Sequence, residues 1–238
     1  MNDKRMIILD TETTGINKIG IPHVNHRIIE IGAVEIIERR FTGNNFHVYI
    51  KPDRLIESEA LKVHGITNNF LKDKPIFKDI VNKFLKYIQN STLIIHNASF
   101  DLGFINQELN LLNQKIKTID TFCNVLDTLK IARKLFPGKK NTLDALCTRY
   151  KINKSSRNLH SAILDAYLLG KVYLLMTNGQ ESLFFNTIVN SKKISSKPKK
   201  FIRSQNIPLK ILYAKKQEID SHIKYLQYMK RHNLCLWK

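Results

Sequence analysis

Three short stretches of this chain carry residues that could do chemistry together. Asp10-Thr-Glu12-Thr-Thr-Gly15, His96-Asn-Ala-Ser-Phe-Asp101 and His160-Ser-Ala-Ile-Leu-Asp165 supply four carboxylates and, in His160, a candidate base. Carboxylates that converge from separate elements repel one another, and divalent cations neutralise such a set. A histidine beside them can take a proton from a water polarised by the cations. The chemistry such a set performs is metal-assisted hydrolysis of a phosphodiester. Asp10 and Glu12 are two positions apart, so on a strand they share a face. Their oxygens suit hard ions such as Mg2+ or Mn2+. Asp101 and Asp165 fall early in helical runs, where the helix dipole favours Asp101 in particular. His160 and Asp165 are five residues apart, roughly 140° around a regular helix. They would diverge on one continuous helix, so His160 is expected on the preceding loop, free to swing over the site. Taken singly, Asp10 could merely stop a strand, Asp101 charge a helix start and His160 cap a turn. Together, in this order and context, they are far less common.

The elements that must position these residues follow from the apolar pattern. Met6 to Leu9 reads as a short buried strand ending at Asp10, Arg27 to Ile37 as a second, and Asn45 to Ile50 as a third, stopped by Lys51-Pro52. Ile80, Val81, Phe84, Leu85 and Ile88 then repeat with the period of one helix face. Thr92 to Ile95 is expected to be a strand that delivers His96. Helical runs are expected over 100–112, 125–135 and 143–150, with Pro137-Gly138 between the last two. Ser161 could cap a helix reaching about Met176, which Gly179 would end. Three strands followed by alternating helix and strand imply an α/β fold, a mixed sheet flanked by helices, resembling ribonuclease H.

The 238 residues suffice for one domain of ordinary size plus an appendage, and 43% hydrophobic residues support a core. The formal net charge of +19 favours an anionic partner, most simply nucleic acid. The chain is also rich in Ile, Lys and Asn, so part of that charge is background composition. Residues 191–238 hold 13 basic and two acidic residues, against 26 and 18 in residues 1–190. Cys123, Cys147 and Cys235 are widely spaced, which fits a reducing compartment and argues against a zinc site. The N-terminal apolar run of four residues is too short for a signal peptide, and nothing approaches the ~18 apolar residues of a membrane span. A soluble, cytoplasmic protein without membrane contact is expected. Residues 191–200, SKKISSKPKK, read as a solvated linker, and 214–231 as an amphipathic helix with Ile219, Ile223 and Leu226 on one side. Such a helix cannot fold alone and is expected to dock on a partner.

These residues resemble the proofreading exonucleases of DEDDh type, and among them the epsilon subunits of bacterial DNA polymerase III. The likeness extends beyond the acidic stretches to Glu30-Ile-Gly-Ala-Val34, the run from Phe41 to Tyr49, Val63-His-Gly-Ile66, Phe136-Pro-Gly-Lys139 and Leu143-Asp-Ala-Leu-Cys147. It covers nearly the whole chain. The resemblance implies two divalent cations, Mg2+ or Mn2+, one held by Asp10, Glu12 and Asp165, with Asp10 bridging to the other. Two ions about 4 Å apart stabilise both the attacking and the leaving oxygen. Asp101 would act through a metal-bound water or from the second layer, and His160 as general base, so that the rate rises from acid toward neutral pH. Glu59 and His64 would join Asp10, Glu12 and Asp165 in meeting the terminal nucleotide, and Thr13 is a weaker candidate. By residue type alone Glu59 and His64 would be read as a loop acid and a loop-capping histidine.

The resemblance also implies an exonuclease domain over 1–178, a linker over 179–208 and a polymerase-binding segment over 209–238. Gln180-Glu-Ser-Leu-Phe-Phe185 is similar to a sliding-clamp (beta) peptide, with Gln180, Leu183 and Phe185 as anchors. By sequence alone the apolar residues could instead pack back on the domain. The tail with Cys235-Leu-Trp237 is similar to the part that binds the polymerase's catalytic (alpha) subunit, and a small theta-like subunit is a further partner. The substrate would be a single-stranded or frayed 3′ end of DNA, cut to nucleoside 5′-monophosphates. Two other readings stay open at this point: an RNA-trimming exonuclease of the same superfamily, and a non-catalytic adaptor joining clamp and polymerase.

Overall fold

The computed structural model describes residues 5–112, 118–154, 159–178 and 213–232. Residues Met6–Thr13 form β1, Ile28–Ile37 β2 and Arg40–Tyr49 β3; each pairs antiparallel with its neighbour in the chain. This is the expected three-stranded meander. Two short helices follow, α1 (Ser58–His64) and α2 (Asn68–Leu71), then α3 (Phe77–Ile88), β4 (Thr92–Ile95) and α4 (Ala98–Leu111). β5 (Asn124–Asp127) leads directly into α5 (Thr128–Leu135), and α6 (Leu143–Arg149) and α7 (Ala162–Met176) complete this unit. The strand order is β3-β2-β1-β4-β5, with β4 parallel to β1 and β5 parallel to β4. The sheet is therefore mixed, as expected for an α/β fold of the ribonuclease H type.

Two apolar layers explain the order. Ile7 and Leu9 of β1 pack with Phe84 and Ile88 of α3 and Phe104 and Ile105 of α4 on one face. Ile8 packs with Val34, Ala166, Leu169 and Tyr173 on the other, under α7. Burying each such side chain contributes on the order of 2 kcal/mol. α7 is apolar nearly all round because it is covered on two sides, by the sheet and by α6.

Three expectations need correction. β1 does not end at Asp10 but continues to Thr13, because Thr11, Glu12 and Thr13 remain paired to β2. Residues 125–135 are not one helix: Val125 and Leu126 pair with β4, and Asp127 then caps α5 by accepting from Leu129 N–H. A four-residue buried strand has too few positions to show a period. Ser161 sits at the N-cap position of α7, yet its hydroxyl makes no cap hydrogen bond and bonds elsewhere.

The chain divides into two units, Met1–Phe185 and Asn186–Lys238. In the second, α8 (Lys216–Arg231) agrees with the expected amphipathic helix, and Ile219 and Ile223 are exposed along it. Gly179, the clamp-like residues Gln180, Leu183 and Phe185, the lysine-rich linker and the Cys235-Leu-Trp237 tail lie outside the described residues. Among the described residues no helix is long and apolar enough to cross a membrane.

Candidate active site

β1 alternates its side chains between the two layers, so Asp10 and Glu12 turn toward α7 and Thr11 turns toward α4. Asp10 lies opposite Gly32 of β2, and Glu12 opposite Glu30. Gly32 decides how near α7 can come. A Cβ on it would lie 2.1 Å from the backbone nitrogen of Ile163 and 2.2 Å from the carbonyl carbon of Ala162. The first turn of α7 therefore rests directly on the backbone of β2. That seat brings Asp165, buried in the same turn, over Glu12.

Glu12, His160 and Asp165 each offer a ligand atom, and the three atoms lie within 4.8 Å of one another. Two hard oxygens and an imidazole nitrogen in that space fit a divalent cation. His160 is on the loop before α7, as expected, but it is not free to swing. Its backbone N–H donates to the Val63 carbonyl at 3.1 Å, and its Nδ1 lies 3.0 Å from Asp165 Oδ2. Asp10 is half-buried on the same face of β1 and stands outside that trio.

Asp101 reaches the site from the other layer. It is buried in the first turn of α4, and Thr11 Oγ1 donates to its Oδ1 at 2.7 Å. Thr11 is the residue between Asp10 and Glu12, so the Asp101 carboxyl is anchored to the strand that carries them. Burial pushes this carboxyl up to about 7, against the pull of the Thr11 hydrogen bond. The folded protein thus holds a proton on Asp101 that the unfolded chain releases near its ordinary value of 3.8. Folding is favoured by this group at low pH and loses that contribution as pH rises through the window between the two values. Asp101→Asn keeps the acceptor for Thr11 without the charge. In chelator, its stability relative to the parent should be nearly unchanged near pH 4 and higher above pH 7, by on the order of 1 kcal/mol or more. Denaturant unfolding of both proteins across that range checks this; a constant difference rejects it.

Beside the cluster lies a cavity of about 260 Å3 lined by Glu12, Thr13, Glu59, Val63, His64 and Phe100, among others. His64 is buried at the end of α1, where Gly65 (φ 71°) makes a left-handed turn that a side chain would strain. That turn lets Ile66 N–H donate to His64 Nδ1 at 3.0 Å. The other nitrogen, Nε2, must then carry the ring proton. It is buried, and the nearest backbone acceptor it faces is the Thr13 carbonyl, at a geometry short of a full hydrogen bond. Burial holds the ring below the usual histidine range, so it is a neutral donor. Glu59 is exposed and pairs with Lys18 Nζ at 2.9 Å, which lowers its carboxyl. Thr13 Oγ1 donates to the Gly15 carbonyl, which is the turn-shaping role.

His96, at the end of β4, is structural. Its Nε2 donates to the Asn141 carbonyl at 2.9 Å and its Nδ1 faces Thr128 Oγ1 at 2.9 Å. Residue-by-residue reading missed Glu30. It is fully buried in β2, accepts from Ser161 Oγ at 3.0 Å and pairs with His47 Nε2 at 2.8 Å. It thereby ties the residue preceding α7 to the sheet. The available signal was an acid inside an apolar run, which requires a partner when buried.

The family described as Exonuclease (RNase_T) matches residues 7–173. The DNA polymerase III subunit epsilon of Buchnera aphidicola subsp. Acyrthosiphon pisum is 71% identical over 100% of both chains. That of Escherichia coli K12 is 49% identical over 98% of this chain and 97% of its own. Among solved structures, Exonuclease X in complex with 5′ overhanging duplex DNA superposes with a TM-score of 0.55 at 28% identity, covering 73% of this chain and 91% of that one. These likenesses favour the proofreading reading over the RNA-trimming and adaptor readings. This chain belongs to the exonuclease family and, within it, to the epsilon subunits of bacterial DNA polymerase III, the proofreading 3′→5′ exonucleases.

Proposed function

We propose that Asp10, Glu12 and Asp165 would hold two divalent cations, Mg2+ or Mn2+, with Asp101 supporting them from the next layer. Such ions, when bound, would supply the polarisation that makes water a nucleophile at neutral pH and neutralise charge around the cleaved phosphate. His160 takes the proton of the attacking water. Asp165, 3.0 Å from its Nδ1, orients the ring and leaves Nε2 as the basic atom. The 260 Å3 cavity receives the terminal nucleotide of a single-stranded or frayed 3′ end, with the His64 Nε2–H as a donor and Glu59 at the rim. A mismatched end frays at lower cost than a paired one, so selection of errors needs no reading of bases.

The observation that carries this reading is the convergence of Glu12, His160 and Asp165 within 4.8 Å, beside a cavity that Glu12 and His64 line. Residues 209–238, including α8, would dock on the polymerase's alpha subunit, residues 180–185 on the beta clamp, and the domain on a theta-like subunit. Two weak tethers suffice to concentrate a nuclease at a primer end. The test is release of nucleotide from a 3′-labelled mismatched primer with and without EDTA, with Asp10→Ala alongside. Hydrolysis should stop in EDTA and in the variant, while the variant still co-purifies with the alpha subunit. Retained hydrolysis in either case, or a preference for RNA ends, overturns the reading.

A further inference from the structure

Two cavities are lined by residues at the start of α4. Phe100 lines the one described above, and His96 and Asn97 line another of about 650 Å3. Glu12 itself lines the first, while His96 and Asn97 stand five and four residues before Asp101, the carboxyl bonded to Thr11, so the second opens at the start of the element that carries Asp101. Their electrostatics are opposite. Glu12, Glu57 and Glu59 line the first. The second presents Arg133 and Lys139, and no carboxylate is among its lining residues. Residues 128–143, which form its outer wall, contain five basic residues and no acidic one. Arg133 and Lys139 are exposed. The wall is also held in shape. Arg149 lies 4.3 Å over the Phe136 ring and donates to the Asn141 side chain and the Lys140 carbonyl, and His96 Nε2 holds the Asn141 carbonyl. The nearby Asp144 is paired with Lys154.

A strand whose last nucleotide fills the acidic cavity must continue past the cluster. Its next phosphates are anions that the carboxylate-lined side repels. We propose that the second cavity is the track for the nucleotides upstream of the cleaved bond, with Arg133 and Lys139 neutralising their phosphates. This rests on the assignment of the cluster as the hydrolytic site, and it makes that site selective for strands over single nucleotide esters.

The test uses the full chain and an Arg133→Ala/Lys139→Ala variant, both changes being on exposed side chains. The substrates are an eight-residue single-stranded thymidylate and thymidine 5′-(p-nitrophenyl phosphate), which has no upstream phosphate. For the strand, kcat/KM should fall about tenfold or more, chiefly through KM, and its salt dependence should flatten by about 1.4 in log–log slope, since each phosphate contact on a single strand contributes roughly 0.7. Hydrolysis of the ester should be unchanged. An unchanged strand KM and salt slope with normal ester hydrolysis overturns the track and leaves the hydrolytic site intact. Equal loss on both substrates also overturns the track. Failure of the parent to cleave either substrate removes the site assignment itself, and the track with it.

Discussion

Asp165→Asn should reduce hydrolysis of single-stranded DNA by about a thousandfold or more, without unfolding the protein. A factor of 10³ corresponds to about 4 kcal/mol of transition-state stabilisation, the scale expected when a charge that holds a catalytic cation is lost. Asp165 is buried in the first turn of α7, within 4.8 Å of Glu12 and His160, and its Oδ2 faces His160 Nδ1. Asparagine keeps the volume and one acceptor but removes the negative charge. Two consequences separate a catalytic loss from a structural one. In EDTA the variant should melt no lower than the parent, because a buried negative charge next to Glu12 has been relieved. Mn2+ or Mg2+ should raise the melting temperature of the parent, since a ligand that binds only the folded state stabilises it, and should raise that of the variant much less. Near-normal hydrolysis, or an undiminished cation effect on melting, would remove Asp165 from the site.

Gly32→Ala should be the most damaging added methyl group among the described glycines. In most strands this change is neutral or favourable, since it restricts the unfolded chain. Here the added carbon meets backbone at 2.1 and 2.2 Å, and backbone cannot rotate away as a side chain can. Either β2 or the first turn of α7 must move by more than an ångström. Overpacking of this kind costs about 3 kcal/mol or more. The same displacement carries Asp165 off Glu12, and a misplacement of about 1 Å at a reacting centre costs on the order of a hundredfold in rate. The variant is therefore expected to lose both stability and kcat, measurable by denaturant unfolding and by nucleotide release. A variant with normal kcat would mean that α7 is not seated by this contact.

Much of the site was readable because its chemistry is concentrated in residue types that rarely coincide. The i, i+2 spacing of Asp10 and Glu12 translates directly into a shared strand face, and β1 carries them so. The helical phase between His160 and Asp165 placed the histidine before α7, where it is found. The contacts that hold these residues were not readable in the same way. Nothing local to His160 shows that its backbone bonds to Val63, nearly a hundred residues earlier. Ser161 has the residue type of a helix cap, yet its hydroxyl goes to Glu30, because a buried carboxylate competes for it. β5 was hidden because four residues cannot display alternation, and its place at the sheet edge comes from pairing with β4.

By itself the sequence determined the chemistry and the class of fold: acids at strand and helix starts, a meander followed by alternating elements, and an excess of positive charge. These are local or compositional properties, legible from spacing and residue type. Tertiary structure alone decided the distances. Whether Asp165 meets Glu12 depends on the absence of a side chain at Gly32, and whether Asp101 joins them depends on a threonine between two acids on the opposite layer. It also decided the contrast between the two cavities flanking α4, because their linings come from segments far apart in the chain. Close approach between distant segments is set by packing, which no single stretch of sequence encodes.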